Sequence, residues 1–130
     1  MLARLALAFL IPIALFAQCD CVVLPPKEAM GYAEVVFRGT VQSVHGTAVF
    51  HVTRVWKGPV GRTFEMSGIE SSEWCHGFLP RMLRVGNELI VYASRIDPSN
   101  NIYFPMHCQT ALVSKAYQIR KLGRGHKPKP

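Results

Sequence analysis

Acidic side chains are scarce in this 130-residue sequence: 8 Asp and Glu stand against 15 Lys and Arg. Charge of either sign is modest at 18%, whereas 49% of residues are hydrophobic and 10% aromatic, which excludes a disordered chain. No self-similar period of 20–50 residues occurs, so a solenoid or propeller is excluded. Beyond residue 18 there is no long apolar run, and a polytopic membrane protein is excluded with it. The 5 histidines form no His-x-x-x-His pair. Ser71 and Ser72 lack a Gly-x-Ser-x-Gly setting, and no two carboxylates are spaced for acid–base work. The expectation is a single domain that is not an enzyme and needs no cofactor.

What is present begins with an exported-protein signature. Met1-Leu2-Ala3-Arg4 is followed by an uncharged apolar stretch, Leu5 to Phe16, and then by Ala17-Gln18. One positive charge ahead of about 12 apolar residues fits a secretory signal peptide over residues 1–18. The small-residue rule fits a cut after Ala17, which leaves Gln18 first; a cut after Gln18 leaves Cys19 first. A lipid on Cys19 is the other way to end such a leader. Export predicts a secreted or periplasmic protein, and there an even number of cysteines reads as disulfides. Cys19, Cys21, Cys75 and Cys108 all follow the signal core. A Cys19–Cys21 bridge would strain disulfide geometry, so each is expected to pair with Cys75 or Cys108. The spacing does not match paired zinc knuckles, and no metal of the protein's own is expected.

Charge divides along the chain. From Cys19 to Ser114, eight basic residues balance eight acidic ones. The surplus is Arg4 in the leader plus Lys115, Arg120, Lys121, Arg124, Lys127 and Lys129 near the C-terminus. The high pI therefore describes a tail, and no nucleic-acid-binding face is expected on the domain. Residues 123–130, rich in Gly, Pro and Lys, are expected to be disordered and free to contact anionic surfaces.

The body reads as mainly β. Lys27–Glu34 is a short helix with Ala29, Met30 and Ala33 on one side. Strands are predicted over Val35–Val44, Thr47–Trp56, Arg62–Ser67, Glu88–Ser94 and Ile102–Phe104. Turns are predicted at His45-Gly46, Lys57–Gly61, Val85–Asn87 and Asp97–Asn101, and a loop carrying Cys75 spans Gly68–Pro80. Ala111–Leu122 has helical spacing, with Gly123 as its stop. Five strands with a helix at each end predict a small OB-type barrel. Its interior is expected to hold Val35, Phe37, Val41, Phe50, Val52, Phe64, Ile90 and Tyr92.

Four blocks together resemble a known family. The first is Cys19-Asp20-Cys21 after a leader, then Pro25-Pro26, a short helix and Val36-Phe37-Arg38-Gly39-Thr40-Val41; the second is Val55-Trp56-Lys57-Gly58, the third Ser71 to Phe78 and the fourth Leu89-Ile90-Val91-Tyr92-Ala93. Their order is similar to the N-terminal domain of the tissue inhibitors of metalloproteinases (TIMP), a netrin-like OB fold, and most of all to its short one-domain bacterial members. The resemblance covers most of Cys19–Leu122. It implies two disulfides, Cys19–Cys75 and Cys21–Cys108. It also implies that the α-amine and carbonyl oxygen of Cys19 chelate the catalytic zinc of a target metalloendopeptidase. Cys19, Asp20, Cys21 and the strip Ser71-Ser72-Glu73-Trp74 would form the contact ridge of a monomeric inhibitor.

The sequence departs from that family in three respects. Asp20 stands where the residue entering the protease pocket is commonly apolar. Glu73 and Trp74 replace smaller residues, and the family's third disulfide and Cys-rich second domain are missing. The alternative expectation is a non-inhibitory netrin-like module of the cell envelope, indifferent to its first residue. A Cys/His metal protein, with free thiols, is the third.

Overall fold

The computed structural model describes residues 23–67, 78, 81–106, 109–112 and 118–130. The elements in chain order are α1 (Pro26–Tyr32), β1 (Val35–His45), β2 (Thr47–Lys57), β3 (Thr63–Met66), β4 (Glu88–Arg95), β5 (Tyr103–Pro105), β6 (Ala111–Leu112) and α2 (Gln118–Leu122). Five strands lie in the order β3-β2-β1-β4-β5, each antiparallel to its neighbours, and β6 pairs with β4. Among the described residues no ladder joins β3 to β5, so the sheet is open. It is nonetheless strongly curled: the ring of Phe64 on β3 meets that of Tyr103 on β5, centroids 5.1 Å apart.

The strands form where the sequence alternates. In β1 and β2, Val35, Phe37, Val41, Phe50, Val52 and Val55 point to one face. The hairpin between them turns at Gly46, whose φ of 70° is the left-handed region glycine tolerates. Three register shifts along β1 mark bulges that bend the sheet. At one of them Gly39 leaves little room: a Cβ would lie 3.1 Å from the His51 carbonyl oxygen and 3.2 Å from the Phe37 ring.

Two hydrophobic clusters hold the fold, one on each face of the sheet. The concave cluster joins the β1 and β2 residues to Val60, Met66, Phe78, Leu89, Val91 and Ala93. The convex cluster packs Val36, Ile90 and Tyr92 beneath Ala29 and Ala33 at α1 and Leu122 of α2. Ile90 and Tyr92 were expected in the barrel interior; they are buried on the opposite face. The reason is that β4 is apolar on both sides, so its alternation carries no direction. Tyr92 keeps its hydroxyl satisfied by donating to the Gln118 Oε1 at 2.8 Å.

The helices differ from expectation in extent. α1 starts at Pro26, with Pro25 as its N-cap residue, since proline suits the first turn. Its C-terminal carbonyls at Met30 and Gly31 accept from Lys57 Nζ at 2.8 and 3.3 Å. Gly58, φ 87°, then passes so close to β1 that a Cβ would sit 2.6 Å from the Glu34 carbonyl. The Trp-Lys-Gly block thus locks α1 to the sheet. Ala111 and Leu112, expected to be helical, form β6 against Leu89 and Ile90 instead. The free edge of β4 captures them, and among the described residues α2 covers Gln118–Leu122, ending at Gly123 with φ 85°.

The C-terminal residues, expected to be disordered, run along β2. His126 and Val55 exchange two backbone hydrogen bonds of 2.8 Å. Trp56 Nε1 donates to the Gly123 carbonyl at 2.9 Å, and the Arg54 guanidinium donates to the carbonyl of Arg124. Gly61 bridges to Lys129. β3 pairs with β2 only from Ala48 to His51, so the rest of that edge needs partners, and the tail supplies them. No helix among the described residues is long and apolar enough to cross a membrane.

Candidate functional site

The candidate residues Cys19, Asp20, Cys21, Ser71, Ser72, Glu73 and Trp74, and the disulfide partners Cys75 and Cys108, lie outside the described residues. So do the leader and its cleavage point. The described residues that flank them do define the frame from which the ridge departs.

The first part of that frame is Gln109, directly after Cys108. Its side chain is 2% exposed. Its Oε1 accepts from the Leu24 backbone N–H at 3.0 Å, and its Nε2 donates to the Leu24 carbonyl at 3.0 Å. A primary amide has one donor group and one acceptor, and here both engage a single residue as a strand neighbour would. The contact joins residues 85 apart in sequence. It fixes the backbone three residues after Cys21 to the side chain of the residue directly after Cys108. Leu24 itself packs on the convex cluster.

The second part is Phe78, three residues after Cys75. It is 3% exposed and packs its ring 5.9 Å from that of Phe50. Phe78 is therefore a fixed point of the concave core. The third part is a groove between the start of α1 and α2, walled by residues 23–27 and by Arg120 and Lys121.

The other blocks of the sequence comparison have structural roles. Phe37 is core, Arg38 forms an ion pair with Glu88, and Gly39 sits at a bulge. Trp56 is half-buried at the rim of the convex cluster, in keeping with a packing role. Among the described residues no group of three or more His, Cys, Asp or Glu is placed to hold a metal ion.

Sequence reasoning did not single out Gln109. A glutamine beside a cysteine carries no pattern of its own. Its significance comes from burial and from the distant backbone it meets. Gln109→Leu keeps the volume but leaves the Leu24 N–H and C=O without partners, a cost of about 1–3 kcal/mol. Denaturant titration should show that loss, and hydrogen exchange should show the Leu24 amide deprotected well beyond the global change.

One ion pair near α1 is sensitive to pH. Arg95 Nε donates to Glu34 Oε2 at 2.8 Å, and the Arg95 backbone N–H donates to Oε1 at 3.1 Å. The Arg95 side-chain and backbone hydrogen bonds hold the Glu34 carboxyl below its usual value. A carboxylate with a lowered folded-state pKa contributes stability above its unfolded pKa, and the contribution is lost as pH falls through the folded value. The stability gap between the parent and Glu34→Gln should therefore be constant near neutrality and close in acid. Thermal melts from pH 7 down to pH ~2 would read it.

Compared with known protein families and with curated proteins, the sequence matches none of them.

Proposed function

We propose that the chain is an exported inhibitor of zinc metalloendopeptidases, in which Cys19, once it is the first residue of the mature chain, supplies an amine nitrogen and a carbonyl oxygen to the target's zinc. The observation that carries this reading is the Gln109–Leu24 clamp. Three residues of chain reach about 10 Å. A bridge between Cys21 and Cys108 needs its Cα atoms within about 7 Å. The Leu24 backbone held to the Gln109 side chain is compatible with that pairing and supports it.

The strand order supports the finer fold reading, a netrin-like OB barrel. A sheet ordered β3-β2-β1-β4-β5 whose edge strands meet through Phe64 and Tyr103 is one ladder short of a closed five-stranded barrel. With Cys19–Cys75 as the second bridge, the Cys-Asp-Cys ridge would be held at both cysteines, and rigidity lowers the entropy cost of binding.

The chemistry is sound at the zinc. A catalytic zinc has three protein ligands and an open position normally held by water. An α-amine, with an ordinary pKa near 7.7–8.0, deprotonates readily on a metal. Asp20 would then lead into the specificity pocket, which favours a target whose pocket offers a cation or water over a dry apolar one.

The test is the intact mass and N-terminal sequence of the protein exported by its own host, with a disulfide map. The reading expects a chain that starts at Cys19 with bridges Cys19–Cys75 and Cys21–Cys108. A chain starting at Gln18, or a lipid on Cys19, removes the free amine and leaves the non-inhibitory envelope module. Four free thiols would overturn both readings.

A further inference from the structure

The tail changes meaning once it is docked. Arg124, His126, Lys127 and Lys129 are exposed, and so are His51, Thr53, Arg54 and Arg62 beside them. His51, Thr53, Arg62, Lys127 and Pro128 wall one shallow depression at the β2–tail seam. Glu65 is the sole acidic side chain on β2, β3 or the tail. The ion pairs among the described residues, Arg38–Glu88 and Arg95–Glu34, lie elsewhere. The Arg54 guanidinium meets a backbone carbonyl and not a carboxylate. Part of the surplus charge, Arg124, Lys127 and Lys129, thus joins Arg54 and Arg62 in a strip built from two parts of the chain.

We propose that this strip binds a linear anionic polysaccharide, independently of any protease. A row of cations with no ion-pair partner among the described residues matches a polymer with regularly spaced anionic groups. The Thr53 hydroxyl, which donates to the Arg38 carbonyl at 3.4 Å and still has an oxygen to accept, and the His51 ring add hydrogen-bonding groups of the kind that sugar hydroxyls engage. Among the described residues the exposed large apolar side chains, Val23, Tyr32, Val85, Ile96 and Ile102, all lie off β2, β3 and the tail, which disfavours insertion into a lipid surface. No exposed aromatic ring is available on the strip to stack a base: Trp56 is half-buried and its indole N–H is engaged.

The proposal requires the docked conformation as well as the charge, and Gly125 separates the two. It has φ 61°, and a Cβ there would stand 2.6 Å from the Val55 carbonyl oxygen and 3.0 Å from the Trp56 ring. Gly125→Val therefore keeps every charge but displaces the tail.

The experiment is calorimetric titration of the full chain with a heparin oligosaccharide at two salt concentrations. The parent should bind, more weakly at high salt. Arg54→Gln with Arg62→Gln, which removes the Arg54 contact to the Arg124 carbonyl but keeps the tail's own charges and its backbone pairing to Val55, should weaken binding roughly tenfold. Gly125→Val should weaken it at unchanged net charge. Circular dichroism checks that each variant is folded; if Gly125→Val is not, the Arg54/Arg62 pair decides. Parent-like binding by that pair, or by a folded Gly125→Val, would overturn the composite strip. So would no binding by the parent. Tighter binding to anionic phospholipid vesicles or to single-stranded DNA than to the oligosaccharide would overturn the assignment of the ligand.

Discussion

Phe37→Ala should lower stability by about 3–5 kcal/mol, the cost of emptying a large aromatic site that cannot collapse. The site is the centre of the concave core. The Phe37 ring lies 5.6 Å from that of Phe50 at an edge-on 71°, and 4.9 Å from that of Phe64. It is fully buried. Phe64 in turn touches Tyr103, so the three rings link β1, β3 and β5 across the curl of the sheet. Removing the Phe37 ring takes away the β1 end of this row and its contact with Phe50, so Phe64 and Phe50 both lose a packed neighbour. Domains of this size are stable by only about 5–15 kcal/mol, so much of the margin would go. Equilibrium denaturation should show a lower midpoint. A change below about 1 kcal/mol would mean that the concave core repacks around the gap, contrary to this account.

The second large effect concerns the chain's first residue. If Cys19 chelates through its amine, one extra residue ahead of it converts that amine to an amide. An amide nitrogen is not a lone-pair donor at neutral pH, so a zinc ligand is lost. Inhibition should weaken by at least roughly 100-fold, equivalent to about 3 kcal/mol. Stability should not change, because one added residue removes none of the described core contacts. Retaining Gln18 makes this variant naturally. Inhibition constants and melting temperatures measured on the same two preparations separate a lost ligand from a damaged fold.

How much the sequence disclosed varied with the physics of each element. The β1–β2 hairpin was legible because residues alternate cleanly and His45-Gly46 marks its turn. The α1 face of Ala29, Met30 and Ala33 was legible for the same reason: one side is apolar, and that side is buried. Strand β4 was legible as a strand but not in its facing, since Leu89 to Ala93 is apolar throughout. Ala111 and Leu112 have helical spacing, yet the open edge of β4 takes them as a strand. Local pattern cannot register a distant edge. The tail is the sharpest case. Its composition is that of a disordered segment, and backbone pairing to an unfilled stretch of β2 orders it. For the site, cysteine spacing and the block order suggested the ridge, whereas Gln109 left no trace in the pattern because its role depends on a residue 85 positions away.

The central claim is that Cys19 reaches a protease zinc, and a cobalt-substituted target reports that contact directly. Cobalt(II) in place of zinc gives a visible spectrum that changes when its ligands change. Titrating the mature chain, starting at Cys19, into a cobalt-substituted zinc endopeptidase that it inhibits should shift that spectrum in step with inhibition. The same chain with its amine acetylated should shift nothing. Inhibition that leaves the cobalt spectrum unaltered, or that survives acetylation, would contradict the account.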